Sequence, residues 1–386
     1  MPVRKRWLPL LALAGLGLLE ALPVDADDRK PRKTAVFTLK RVPLKPGTLR
    51  LGPTTSGTVP NEAWSFKLGQ RTFLLLDLDG DGKITPGGDD GLALAGAPFV
   101  VPLPRTLLCE SGQCELEVTA GHVKLTREEL AVDPELLIEA SELTEIRIRA
   151  GLAPVRIDVG ACRACEAHCD YLQANGEADG HGGVSMHVEK QGNPGYTKEG
   201  AVAGEAADLF PKIASFRGAL WDWYATVWHG APMFNPGVSR IGIALRYDVA
   251  ALYFVDPAPV LRPLPHPPEG AVNVPVGFGS RGEVPNPVFG TDYAKGCGFP
   301  ILVILPSDWS GVGLDSFTVA DAHGKKIAGT VSCPSRPATQ EWPTNSGCAA
   351  FVPTEPLPAN AKLMARLAMI GHEAVVWSFS TASERK

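Results

Sequence analysis

Residues 186–210 read MHVEKQGNPGYTKEGAVAGEAADLF, and residues 223–247 read WYATVWHGAPMFNPGVSRIGIALRY. They set His187, Glu205 and His229 around a glycine-rich stretch and a tryptophan-containing segment. Two neutral imidazoles and one carboxylate suit zinc, or magnesium as the harder alternative, with a coordination position left for water. Water held that way becomes a nucleophile near neutral pH. Gly192, Gly195, Gly200 and Gly204 fit a tight, looping backbone that delivers the first His and the Glu to one cleft. The plainer reading is that both histidines satisfy polar ends of a core, so the site requires all three side chains in one solvent-reachable hollow.

Around these blocks the periodicity changes from strand to helix and back. Ile241–Arg246 and Ala250–Val255 read as strands joined at Tyr247-Asp248, and Arg217–Trp228 reads as a helix. Trp221, Trp223 and Trp228 read as core rather than as a sugar platform. Upstream, Asp133-Pro134 opens a helix whose face carries Leu136, Leu143, Ile146 and Ala150, with Gly151 as its stop. Asp158 caps a second helix with Cys162, Cys165, Cys169 and Leu172 on one face and Gly176 beyond its end.

AGLAPVRIDVGACRACEAHCDYLQANG, residues 150–176, together with the two blocks above, resembles the CAP superfamily in its bacterial form. These are the SCP-like extracellular domains of the cysteine-rich secretory, antigen 5 and pathogenesis-related proteins. Bacterial members commonly pair a Gly-Leu-x-Pro turn with a helix ending Ala-x-Tyr-x-x-x-Asn-Gly, matched here by Gly151, Leu152, Pro154, Tyr171, Asn175 and Gly176. The resemblance covers residues 140–256. It implies an α+β domain built as an α-β-α sandwich, with His187, Glu205 and His229 in its cleft. It also implies extracellular binding of lipids, cations or other partners, peptidase activity being claimed for some members only.

Three departures weigh against catalysis. Thr226 stands where many eukaryotic members have a second Glu, Ala206 replaces the Asn of Gly-Glu-Asn, and Gly230 replaces an Arg common after the second His. A pocket short of one carboxylate favours a non-catalytic ligand- or cation-binding scaffold. The alternatives are a metal-assisted hydrolase, peptidase or esterase, with Glu205 as general base, and a surface adhesion protein acting through its β domains. The ligand class stays open among lipid, peptide, glycan and a cell-surface component.

The flanks read as β structure, which makes the chain multidomain. Residues 27–139 form a β-rich module in which Thr34–Leu39, Arg71–Leu76 and Pro98–Leu103 alternate with Gly and Pro clusters. Within it, LLLDLDGDGKITPGGDDGL, residues 74–92, supplies Asp77, Asp79, Asp81 and Gly82 in the spacing of a calcium loop, with Lys83 at the backbone-ligand position. Position 12 is Gly88 rather than Glu, leaving Asp89 and Asp90 just beyond. The expectation is a calcium loop grafted between strands. Six prolines in residues 257–268 read as a stiff linker that breaks regular structure. The remainder to residue 386 reads as an antiparallel sandwich, and its ending VVWSFST resembles the last strand of bacterial Ig-like domains. Gly277 to Gly282 satisfies G-x-G-x-x-G, but Pro285 and Pro287 stand where a helix would have to start, so no dinucleotide site is expected.

Arg4, Lys5 and Arg6 precede an apolar run from Trp7 to Leu19 and small residues near Ala26, the pattern of a signal peptide over residues 1–26. The run is too short to span a bilayer, which points to a secreted, periplasmic or cell-surface protein. A formal charge of −5 without basic clusters argues against nucleic acid. Eight cysteines in an exported chain read as disulfides, with Cys109–Cys114 and Cys333–Cys348 paired by proximity. Cys162, Cys165, Cys169 and Cys297 read as further bridges or buried thiols. The C-x-x-C-x-x-H-C run ending at His168 and Cys169 is a poor zinc cluster, because one straight helix cannot wrap four ligands around an ion.

Overall fold

A computed structural model describes residues 33–178, 183–279, 283–288, 296–340 and 343–383; the expected signal peptide lies outside the described residues. The middle of the chain is organised by a four-stranded sheet in the spatial order Arg156–Ile157, Arg240–Arg246, Val249–Val255, Asp208–Phe210. The first pair is parallel and the other two are antiparallel. Tyr247 and Asp248 form the expected turn at φ 53° and 58°, the left-handed pair that matches the twist of a two-residue hairpin.

Side chains alternate across this sheet. Ile241, Ile243, Ala250, Leu252 and Phe254 pack on one face. They meet Leu136 and Leu137 of helix α1 (Pro134–Ala140), Leu143 and Ile146 of α2 (Glu142–Arg149), and Phe216 and Trp223 further on. Ala244, Val249 and Ala251 pack on the other face against Cys165, Cys169 and Leu172 of α3 (Val159–Ala174) and Ala203 of α4 (Lys198–Ala206). The result is helices, sheet and helices in three layers.

The caps fall where the side chains dictate. Asp133 accepts from the Glu135 N–H at 2.9 Å, and Asp158 accepts from the Ala161 N–H at 3.0 Å. The first expected helix is two, however. It breaks at Ser141, whose hydroxyl donates back to the Ile138 carbonyl at 2.7 Å. Helix α5 spans Phe216–Tyr224 and stops short of Trp228; a short α6, Gly230–Met233, follows. Trp223 and Trp228 are core residues, but Trp221 is 45 % exposed, which corrects the reading of all three as buried.

Before this region, Thr34–Arg127 folds into a four-stranded and a six-stranded sheet. Arg71 ties it to α2 through Glu145 at 2.9 Å and Glu142 at 3.1 Å. After it come two antiparallel sheets with a common core that includes Ile301, Phe351, Phe317, Leu363 and Trp377. Leu264–His266, inside the expected linker, is a strand paired with Ile301–Ile304. Pro265 is tolerated in it because the strand lies at the sheet edge. The three parts share one apolar cluster, which takes Leu108 from the first, Trp223 from the second and Leu302 and Cys348 from the third.

The cysteines depart from the expected bridges: all eight are buried thiols. Cys109 and Cys114 approach to 3.9 Å between sulfurs but sit diagonally in their hairpin, Cys109 opposite Gly112 and Cys114 opposite Leu107. Cys348 donates to the Asn345 carbonyl at 3.2 Å, and Cys333 lies 3.2 Å from the Ser335 hydroxyl. Burial pushes the Cys162 thiol up to about 11 and the Cys169 thiol up to about 12, the range of inert core residues. Cys165 and Cys297 are raised by the same cause.

Candidate ligand-binding cleft

His187 closes a 3-10 turn, Gly183–His187, between α3 and α4. The turn is tied down by His168 of α3, whose Nε2 lies 2.8 Å from the Met186 carbonyl and whose Nδ1 lies 2.9 Å from Glu189 Oε1. Glu189 accepts the Thr197 N–H at 3.1 Å with its other oxygen, and Thr197 caps α4 through the Gly200 N–H at 2.8 Å. His168 is thus a buried strut rather than a partner of the neighbouring cysteines. Gly200 and Gly204 are helical, which corrects their reading as turn residues. A Cβ at Gly204 would come within 2.2 Å of the His168 ring, so only glycine lets α4 lie on that imidazole.

His187, Glu205 and His229 all line one cleft of about 80 Å³, and Asp208, Val284, Pro285 and Ser346 line it too. A hollow of that size holds a few waters, an ion or one small polar group. Glu205 is exposed. Among the described residues, the group of three donor atoms mutually within 4.8 Å is that of Asp77, Asp79 and Asp90; the cleft residues share a hollow without reaching that spacing.

The two imidazoles are shifted in opposite directions. The Gly204 carbonyl lies 2.8 Å from His187 Nδ1, and because a carbonyl only accepts, Nδ1 carries the proton and Nε2 the lone pair. Burial pulls His187 down to about 4, so this ring is neutral at physiological pH. For His229, burial also lowers the pKa, but a hydrogen bond and the charge of Glu283, with Asp208 and Asp222 behind them, outweigh it and leave the pKa raised. Asp208, 6 % exposed, has its carboxyl pushed well up by burial, and its Oδ2 has no hydrogen-bond partner among the described residues. Thr226 turns its hydroxyl back to the Trp223 carbonyl at 2.7 Å and adds nothing to the cleft.

Residues 141–255 match the family model of the Cysteine-rich secretory protein family. The chain carries a CAP domain. No curated protein matches the sequence. Among solved structures, an extracellular protein containing a SCP domain from Bacillus anthracis str. Ames is similar at 12 % identity. The match covers 50 % of this chain and 66 % of that one, with a TM-score of 0.24. No helix of the described residues is long and apolar enough to cross a membrane.

Asp208 and Glu283 escaped the sequence reading. Asp208 is an acid between Ala207 and Leu209 at the start of a buried strand, which is a faint signal. Glu283 lies beyond the CAP domain next to a rejected glycine motif and has no local signal at all.

In the aspartate-rich loop the structure brings Asp77, Asp79 and Asp90 together, while Asp81, Lys83 and Asp89 fall outside the group. Asp81 instead accepts the Lys83 N–H at 2.8 Å. Asp90, 2 % exposed, accepts from the Leu78 and Thr85 N–H groups at 3.1 and 2.6 Å. Its pKa is raised by burial and by Asp79 and Asp77, against the lowering effect of those two hydrogen bonds.

Proposed function

We propose that this chain is an exported CAP-domain protein whose cleft binds a divalent cation or a small polar ligand without transforming it. The observation that carries this reading is the meeting of His187, His229, Glu205 and Asp208 on one hollow of about 80 Å³. The size favours an ion or a single polar group over a lipid chain or a glycan. Calorimetric titration with zinc is expected to show one site in the wild type and at least a ~100-fold loss in His187→Ala/His229→Ala, since two of the protein ligands are gone. No heat in the wild type, or equal affinity in the variant, removes the cation from this reading.

Metal-assisted hydrolysis with Glu205 as general base is the second reading, supported by the carboxylate behind His229, because a metal-ligating histidine is commonly oriented by such a group. Turnover of ester or peptide libraries that vanishes in Glu205→Gln would establish it. The Ig-like assignment of the C-terminal part is supported by its two antiparallel sheets around one core.

Calcium in the N-terminal loop belongs to the same proposal in a structural role. With extracellular-type affinity, 10 mM calcium is expected to raise stability by about 1.5–3 kcal/mol in the wild type. The increment should disappear in Asp79→Ala. Thermal unfolding with and without calcium checks this, and a flat response in both proteins means the loop takes no ion.

A further inference from the structure

Glu283 stands 54 residues beyond His229, and its side chain is fully buried. Its Oε2 accepts the Val227 N–H at 2.8 Å. Its Oε1 accepts the N–H groups of Trp228 and His229 at 2.6 and 2.9 Å and lies 2.8 Å from His229 Nδ1. The neighbouring backbone is latched as well, since the Trp228 indole donates to the Pro285 carbonyl at 2.6 Å. The oxygen that faces His229 Nδ1 is thus already the acceptor of two backbone N–H groups. With its lone pairs turned to those donors, Oε1 meets the ring as an acceptor too, so the proton sits on Nδ1 of His229 and the nitrogen left for the cleft is Nε2. Carboxylates behind a ligating histidine set its tautomer and direction in this way. Thr226, the position where a second acid was missed in the sequence, offers no substitute.

We propose that Glu283 is the positioning residue of the cleft, fixing His229 with Nε2 toward the bound group, so that the site is built jointly by the CAP domain and the segment that follows it. This rests on the ligand-binding reading, but it can fail separately. The alternative is a purely structural role, in which Glu283 only caps the three N–H groups of residues 227–229 and the ring direction is indifferent to it.

The test uses the full chain and the ¹⁵N shifts of the imidazole rings without metal, at a pH where both rings are neutral. In the wild type both His187 and His229 should be protonated on Nδ1. In Glu283→Ala, His229 should revert to the Nε2–H form ordinarily favoured in water, while His187, held by Gly204, stays unchanged as an internal control. A His229 signal identical in both proteins overturns the proposal. Should Glu283→Ala not fold, Glu283→Gln keeps an acceptor but no charge. It is expected to weaken zinc binding by about 10–100-fold and to lower the pH at which His229 titrates. An unmoved titration in that variant equally overturns the proposal. A wild type that takes no zinc refutes the cation reading, and the tautomer measurement still decides the role of Glu283.

Discussion

Arg147→Met is expected to destabilise the protein by about 3–5 kcal/mol, a large share of the 5–15 kcal/mol that holds a typical domain together. Arg147 has no surface exposure, and among the described residues no carboxylate is paired with its guanidinium. It donates instead to four carbonyls: Ala153 at 2.8 Å, Met233 at 2.7 Å, and Asn235 and Val238 at 3.1 Å. Burial lowers its pKa, and the converging carbonyl dipoles are what compensate the charge. Met replaces the stem but withdraws the donor from all four carbonyls, of which Asn235 still accepts the Val238 N–H at 3.3 Å. Lys should recover only part of the loss, because a point charge cannot span the positions that the guanidinium fork reaches. Met233 is the last residue of α6, whose N-cap is His229, so the proposed zinc affinity should fall together with stability. Urea unfolding is the measurement, and a change below about 1 kcal/mol would show that the four contacts are dispensable.

Acid sensitivity should centre on His266. This ring is 3 % exposed, stacked on Phe234 at 3.4 Å between centroids and edged by Tyr224 at 5.4 Å. Neither ring nitrogen has a hydrogen-bond partner among the described residues. Burial lowers its pKa from 6.5 to about 3, so the fold admits only the neutral form. The unfolded chain takes up a proton below pH 6.5 and the folded chain does not. The stability contributed is therefore complete above 6.5 and is lost progressively as pH falls toward 3. Between pH 6.5 and 4 the loss is about 3 kcal/mol. His187, lowered to about 4, acts with the same sign over a narrower window. In His266→Phe the ring packing is retained and the proton site is gone. Urea midpoints at pH 7 and pH 4 should therefore converge in the variant relative to the wild type. Equal acid losses in the two proteins would exclude His266 as the sensor.

The cleft was partly legible in the sequence because its first three members sit in locally structured runs. His187 and Glu205 flank a glycine-rich segment that lets α4 approach α3, and His229 follows a helix recognisable from its apolar spacing. Asp208 was hidden by its context, since a lone acid in ADLF reads as the polar interruption of a strand until the fold shows it buried beside His229. At Thr226 the second acid is absent, and the carboxylate that reaches His229, Glu283, comes from another part of the chain. The expected disulfides failed for a related reason. Closeness in sequence did not set the strand register that leaves Cys109 and Cys114 diagonal and their sulfurs 3.9 Å apart.

By itself the sequence determined the elements whose causes lie within a few residues. Asp133 and Asp158 start helices, Tyr247-Asp248 turns a hairpin, and period-two alternation assigns each strand its two faces. Those choices follow from backbone dihedrals and short-range hydrogen bonds. Only the tertiary structure decided which polar groups meet: Glu283 with His229, Arg147 with the 233–238 carbonyls, and His266 with no hydrogen-bonding group among the described residues. Such pairings depend on where separate layers come to rest, and buried polar chemistry, unlike apolar periodicity, leaves no repeat along the chain from which that meeting could be read.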